Sequence, residues 1–176
     1  MSSLIPFRDG PSPTQVRLFD AGQAMTKLAG DAEPSYGMSG MLYCTQGERG
    51  SWGKLTVPAA LVRGAFKALD EDGITLPDTD GRFEPHITVF RPEEIDSIGG
   101  IDKITERGKH FHYRIGGLVS FVPRGWPGMQ CCWALRVWSP ELRALRKSYN
   151  LSELPGDGSM DFHMTVAVKK RGGKAT

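Results

Sequence analysis

Residues 85–90 read Pro-His-Ile-Thr-Val-Phe, and residues 162–168 read Phe-His-Met-Thr-Val-Ala-Val. Both stretches are short, apolar and rich in β-branched residues, which is typical of buried strands. Each carries a histidine and a threonine two residues apart. The repeated pattern predicts two strands that carry one site between them, built from two related halves.

The alternation of side chains along a strand separates these polar residues from the apolar ones. Residues two apart project from the same face, so His86 and Thr88 share one face, and His163 and Thr165 do the same. A polar pair on an otherwise apolar strand costs free energy unless it is hydrogen-bonded or used. The two pairs are therefore the first candidates for functional residues.

Length and composition indicate one ordinary globular domain. The chain has 176 residues, with an apolar fraction of 39% and a charged fraction of 24%, enough to bury a substantial core. The net charge of +2, without long runs of one sign, argues against binding of long duplex nucleic acid. It is compatible with a cyclic or short oligonucleotide. No membrane span or secretory segment is predicted, so we expect no membrane partner.

The three cysteines predict a reducing compartment. Their number is odd, and Cys131 and Cys132 are adjacent, so they do not form a disulfide framework. A cytoplasmic location follows as an expectation.

Patterning predicts a leader at residues 1–39, a domain at 40–170 and a basic tail at 171–176. The predicted elements of the domain are a strand at 40–45, a loop at 46–54, a helix at 58–72, and strands at 85–90, 111–122 and 130–138, followed by a helix at 140–150 and a strand at 162–168. Gly116-Gly117 predicts a bulge, Ser139 a helix cap, and Asn150 a left-handed helix end.

A strand, a helix and a His-x-Thr strand therefore occur twice, ending at residues 90 and 168. This predicts an α+β fold of two lobes, about 40–100 and 101–170, each a β-α-β unit with its helix on one face of an antiparallel sheet. The free faces of the two sheets would meet in a central groove lined by the histidines and threonines.

Two imidazoles across a groove suit metal-free cleavage of a phosphodiester. Their unperturbed pKa of roughly 6.5 lets one ring accept a proton while the other donates one. The threonine hydroxyls suit charged phosphate oxygens. A single His-x-Thr tripeptide is a weak signal, but two in matching contexts form a much stronger one.

On these motifs the chain resembles the two-histidine (2H) phosphoesterase superfamily, which includes RNA ligase-like enzymes and cyclic phosphodiesterases of RNA ends. The resemblance implies a pseudo-twofold fold, no metal or cofactor, His86 and His163 as the acid/base pair, and Thr88 and Thr165 as phosphate anchors. Residues 91–94 and 103–109 also resemble phage-type members that destroy cyclic oligonucleotide immune signals (anti-CBASS phosphodiesterases). Cyclic dinucleotides or trinucleotides are then the expected substrates, and the host cytoplasm is the expected location for a phage-encoded protein.

Other functions stay open on the sequence alone. The same site could process RNA 2',3'-cyclic phosphates or 2'-5' linkages, or the protein could be a sponge that binds a nucleotide without cutting it. A metal site built from the four histidines, including His110 and His112, is a further alternative.

Aromatic and basic residues outside the motifs are candidates for substrate binding. The residues expected in loops, where they could stack on a base or contact phosphate, are Tyr36, Trp52, Arg91 and Trp126. Trp138 and Tyr149 are instead expected in the core.

Overall fold

The computed structural model describes residues 37–47, 50–77, 83–123, 128–156, 158 and 160–171. The predicted leader and tail lie almost entirely outside these residues, as do Tyr36 and Trp126.

The described residues form seven strands and three α-helices, which confirms the α+β class. The strands are β1 Met38–Gly47, β2 Gly50–Thr56, β3 Ile74–Thr75, β4 His86–Phe90, β5 His110–Phe121, β6 Met129–Trp138 and β7 Phe162–Lys170. The helices are α1 Ala59–Lys67, α2 Pro92–Ser97 and α3 Pro140–Ser148, with a 3-10 turn at Ile101–Lys103. No helix in the described part of the chain is long and apolar enough to cross a membrane.

The strands pair antiparallel in one sheet that closes on itself. Its order is β3-β7-β4-β2-β1-β5-β6, and β6 also pairs with β7. Six strands therefore form a ring, and β3 extends one edge of β7. The two predicted sheets are thus joined edge to edge, by β1 with β5 and by β4 with β7.

The core lies on the outer face of this ring. Residues Leu55, Ile87 and Met164 on the strands are fully buried, and they share one apolar cluster with residues of α1 and α3. The interior of an eight-stranded barrel is only wide enough for side chains, and this ring has six strands. A helix about 10–12 Å wide does not fit inside it, so both helices pack against its outer face. The opposite face of each strand, which carries the histidines and threonines, turns inward.

The predicted loop at 46–54 is wrong, because most of it is a β-hairpin. Strand β1 runs to Gly47, and β2 begins at Gly50 and pairs with both β1 and β4. The glycines that suggested a loop have a packing role: a Cβ on Gly53 would lie 2.5 Å from the Phe90 ring. Close approach of a neighbouring side chain is a known reason for glycine inside a strand.

The hairpin changes the repeated unit. Strand β2, not the segment at 40–45, precedes helix α1 and pairs with the first His-x-Thr strand. Strand β6 stands in the same relation to α3 and to β7. Each half is therefore β-β-α-β, namely β1-β2-α1-β4 and β5-β6-α3-β7, with β3 inserted in the first.

Local signals in the second half are confirmed. The Ser139 hydroxyl accepts a hydrogen bond of 3.1 Å from the Leu142 N–H at the start of α3. Asn150 has φ of 57° just after that helix. The β5–β6 register shifts between Ile115 and Leu118, which places a bulge at Gly116-Gly117. Helix α1 ends at Lys67, five residues before its predicted end.

A buried ion pair joins the two halves behind the sheet. Arg146 on α3 is 0% exposed and donates to both carboxylate oxygens of Glu94 on α2, at 2.9 and 2.7 Å. It also donates to the carbonyls of Val89, Ser152 and Leu154. Burial raises the pKa of Glu94, but hydrogen bonds, foremost that from Arg146, outweigh burial and leave the pKa below its ordinary value.

Replacement of Arg146 should therefore destabilise the protein strongly. Arg146→Met leaves Glu94 buried without its cation, which costs about 3–5 kcal/mol in comparable sites. Urea unfolding at pH 7 measures the loss. Lys147→Met is the matched control on the same helix, because Lys147 is 62% exposed and pairs with Glu153 at the surface. That variant should lose no more than about 1 kcal/mol; equal losses in both variants would contradict the assigned role of Arg146.

Candidate active site

The two His-x-Thr motifs lie side by side on adjacent antiparallel strands. Ile87 of β4 is the register partner of Met164 of β7. In an antiparallel pair, one step along each strand in opposite directions reaches the next opposed residues. His86 is therefore opposite Thr165, and Thr88 is opposite His163. The sequence prediction that the motifs form one site of two related halves agrees with this register.

Burial separates the two faces of these strands. Ile87 and Met164 are 0% exposed and point into the outer core. His86, Thr88, His163 and Thr165 are only half-buried and alternate with them. All four polar side chains consequently share the inward face.

Both imidazoles are held in the same way. Nδ1 of His86 lies 2.8 Å from the carbonyl oxygen of Glu84, and Nδ1 of His163 lies 3.1 Å from that of Asp161. A carbonyl oxygen only accepts hydrogen bonds, so Nδ1 carries the proton in each ring. Nε2 is left as the nitrogen that can take up or release a proton. The Phe121 ring also packs against His163 in a T-shaped arrangement, with ring centroids 5.6 Å apart.

Both rings are poised to be neutral at pH 7. Burial lowers the pKa of His86 below its ordinary value of 6.5, and the charges of Lys54 and His163 lower it further, against the raising effect of Glu84. Burial also lowers the pKa of His163, with a further contribution from Arg91 and an opposing one from the Asp161 carbonyl. In the free protein the neutral form of each ring, which can accept a proton at Nε2, therefore predominates.

Two cations that sequence reasoning missed flank the motifs. Lys54 of β2 is opposite Thr88, and Arg136 of β6 is opposite His163. A single row across four strands therefore reads Lys54, Thr88, His163, Arg136. Burial lowers the pKa of Lys54, opposed by Glu84. Alternation along β2 would have revealed Lys54, had residues 50–56 been predicted as a strand.

The other predicted binding residues have different positions. Trp52 lies within β2 rather than in a loop, and the two-residue alternation places it on the same face as Lys54 and Thr56. Arg91 follows β4, and its guanidinium packs on Gly156, where a Cβ would lie 2.6 Å from it. Tyr43 of β1 is the register partner of Lys54 and extends the row beyond β2.

The remaining histidines lie in β5. His112 is half-exposed, and its Nδ1 is 3.1 Å from the Glu141 carboxylate on α3. His110 is exposed at the start of the strand. Among the described residues, no group of three or more His, Cys, Asp or Glu side chains is arranged to hold a metal ion.

The cysteines are poor nucleophiles in this fold. Burial raises the pKa of Cys132 to about 11, and burial also raises the pKa of Cys44 and of Cys131. A thiolate is the reactive form, so these thiols stay protonated near neutral pH.

An α+β fold with two His-x-Thr strands side by side is consistent with the class of two-histidine phosphoesterases. The family described as Swiss Army Knife, 2H phosphoesterase domain, matches residues 52–173, which include both motifs, and the chain belongs to this 2H phosphoesterase family. Searches of curated proteins and of solved structures gave no significant match. The resemblance of the sequence to the 2H phosphoesterase superfamily is confirmed, and membership assigns the chain phosphodiesterase chemistry and the hydrolase class.

The lowered pKa values predict that stability depends on pH. Near pH 6 the unfolded chain binds more protons at His86 and His163 than the folded protein does, so unfolding becomes easier as pH falls through about 6.5. Urea unfolding at pH 7.5 and 5.5 measures the difference, and NMR titration should place both imidazole pKa values below 6.5.

The double variant His86→Ala/His163→Ala is the control, because every other titrating group remains in it. Its stability should fall less between the two pH values than that of the wild type. An equal fall in the free energy of unfolding of both proteins would show that these two rings do not cause the pH dependence.

Proposed function

We propose that the protein is a metal-independent phosphodiesterase that cleaves nucleotide phosphodiesters with His86 and His163 as the acid/base pair. The observation that carries the proposal is the register of β4 and β7, which sets each histidine opposite the threonine of the other motif. Opposed residues in such a pair lie about 4.5–5.5 Å apart at Cβ. One phosphate can therefore contact both rings and both hydroxyls.

The proposed reaction needs two proton transfers. The neutral ring of one histidine takes the proton of the nucleophile, a water or an adjacent ribose 2' hydroxyl, through Nε2. As the new O–P bond forms, the bond to the leaving oxygen breaks, and the protonated second ring gives its proton to that oxygen. Thr88 and Thr165 donate hydrogen bonds to the non-bridging phosphate oxygens.

The surroundings favour a substrate with more than one phosphate. Lys54 and Arg136 lie at opposite ends of the row that contains Thr88 and His163. Three strand spacings of about 4.8 Å separate them along the curved sheet. A short oligonucleotide can place one phosphate between the histidines and further phosphates beside these two cations.

The substrate class proposed is the cyclic oligonucleotide, a cyclic dinucleotide or trinucleotide. Several phosphates and bases would use Lys54, Arg136 and the aromatic residues Tyr43 and Trp52 on neighbouring strands. The cyclic form and an anti-CBASS role rest on the sequence resemblance at residues 91–94 and 103–109. The remaining predicted substrate contacts are Arg91, whose charge acts on His163, and the two aromatic residues Tyr36 and Trp126. The free thiols suit action in the cytoplasm.

Removal of either imidazole tests the mechanism. His86→Ala and His163→Ala should each lower kcat by about 10²–10⁴-fold, the usual contribution of general acid–base catalysis. Steady-state rates on the best substrate measure the loss, and circular dichroism checks folding. Lys67→Met is the control, because Lys67 is exposed on α1, outside the ring; its rate should match that of the wild type. Wild-type rates in both histidine variants would refute the proposal.

A substrate panel tests the specificity. We expect cyclic di-AMP or cyclic tri-AMP to be cleaved faster than 2',3'-cyclic AMP, which has one phosphate for the row of cations, and faster than 2'-5' oligoadenylate, because the sequence resemblance at residues 91–94 and 103–109 favours cyclic substrates. Liquid chromatography resolves the products. Preference for 2',3'-cyclic AMP or the 2'-5' linkage would identify an RNA-processing enzyme, and intact ligand recovered from a tight complex would identify a sponge.

The same panel, run with and without EDTA, separates metal-independent cleavage from cleavage at a metal site built by the histidines. Equal rates are expected because the proposed proton transfers need no metal. A loss on chelation that zinc restores would favour the metal alternative.

A further inference from the structure

Trp138, the last residue of β6, is a large aromatic side chain that the fold does not bury. It is 50% exposed and is not part of the apolar core cluster formed by its neighbour Val137 and other residues. The sequence prediction that placed Trp138 in the core is therefore wrong. Alternation along β6 puts it on the same face as Arg136, opposite to buried Val137.

The register fixes the position of Trp138 relative to His163. Arg136 is directly opposite His163 across the β6–β7 pair, and Trp138 is two residues further along β6. Diagonal neighbours of this kind lie about 7–8 Å apart. Trp138 therefore lies one diagonal step from His163, on the neighbouring strand, at a distance that one nucleoside can span.

Two arginines accompany this ring. The Arg114 guanidinium lies 5.5 Å from the centroid of the Trp138 ring, and Arg114 and Trp138 are register partners. Arg136 is exposed and forms no ion pair with any other residue that the structure describes. We call these three residues, Trp138, Arg114 and Arg136, the Trp138 platform.

An exposed indole with one guanidinium over its ring and a second arginine on the same face has the chemistry of a site for single-stranded nucleotides. Bases stack on aromatic rings with little regard to sequence, and arginines next to the ring bind the phosphates. Isolated exposed apolar residues are common and need no function, but this one lies on the inward face, next to a cation and diagonal to His163.

We propose that the Trp138 platform binds the nucleoside that flanks the scissile phosphate, with the base stacked on Trp138 and the adjoining phosphate on Arg136. The inference rests on the proposed function and deepens it, because it makes the enzyme selective for oligonucleotides over isolated cyclic mononucleotides. It also assigns the β6 side of the site to substrate recognition.

Binding of a ligand that cannot be cleaved through its 2' hydroxyls tests this separately from catalysis. The probe is a fluorescently labelled triadenylate with 2'-O-methyl riboses, and liquid chromatography after each titration checks that it is still intact. Trp138→Ala should weaken its binding by about tenfold, the usual effect of removing one base-stacking ring. Trp138→Phe keeps an aromatic surface and should restore most of the affinity. Circular dichroism checks that both variants are folded.

Ionic strength supplies a second readout. Arg136→Met should lower the slope of log affinity against log salt by about 0.7, the value for one phosphate contact to a single strand. Lys67→Met removes the same charge from the outer surface of α1 and should leave the slope unchanged.

The outcomes separate this inference from the proposed function. Weaker triadenylate binding by Trp138→Ala, rescued by Trp138→Phe, supports the platform even where no cleavage of the panel is seen. Unchanged binding in Trp138→Ala, or an equal loss in Arg136→Met and Lys67→Met, overturns it, even where His86 and His163 prove essential for turnover.

Discussion

The pairing of Ile87 with Met164 is the constraint on which the site depends. Both side chains are completely buried, and they are the register partners through which β4 and β7 meet. A slip of one residue along either strand would turn its apolar side chains inward and its histidine and threonine into the core. The hydrophobic effect therefore sets the positions of the candidate site residues. The free energy of burying Ile87 and Met164 keeps the two histidines and two threonines on one face. No direct contact between the two motifs is needed for this.

The Arg146–Glu94 pair supports the same junction from behind. Arg146 bonds the Val89 carbonyl at the end of β4 as well as Glu94 on α2. The Glu94 carboxylate in turn accepts hydrogen bonds from the backbone N–H groups of Arg91 and Gly156. The segment after the first motif and the loop before the second are consequently held by one buried cation. Arg91, which contributes to the lowered pKa of His163, is positioned by this network rather than by the sheet.

The sequence sufficed for features that depend on local patterning, and it failed where packing partners are distant in the chain. The β-branched runs at β4 and β7, the Ser139 cap and the Gly116-Gly117 bulge follow from residue type and spacing alone. Strand β2 was missed because Gly50 and Gly53 suggest a loop, and only the Phe90 ring, which a Cβ on Gly53 would meet at 2.5 Å, explains the glycine at 53. Lys54 was missed with β2, and Arg136 enters the site through cross-strand register, which a single sequence does not reveal. Trp138 was misplaced because an aromatic residue in an apolar strand is usually buried.

The electrostatics of the site bear on when the proposed acid can form. In the free protein burial lowers both imidazole pKa values, so both rings are mainly neutral at pH 7. A bound phosphate places negative charge beside both rings and raises their pKa values. It also offsets the field of Lys54, which acts on His86, and of Arg91, which acts on His163. In the proposed mechanism, burial together with Lys54 and Arg91 keeps the rings mainly neutral until the substrate arrives, and the bound phosphate then favours protonation of the ring that serves as the acid.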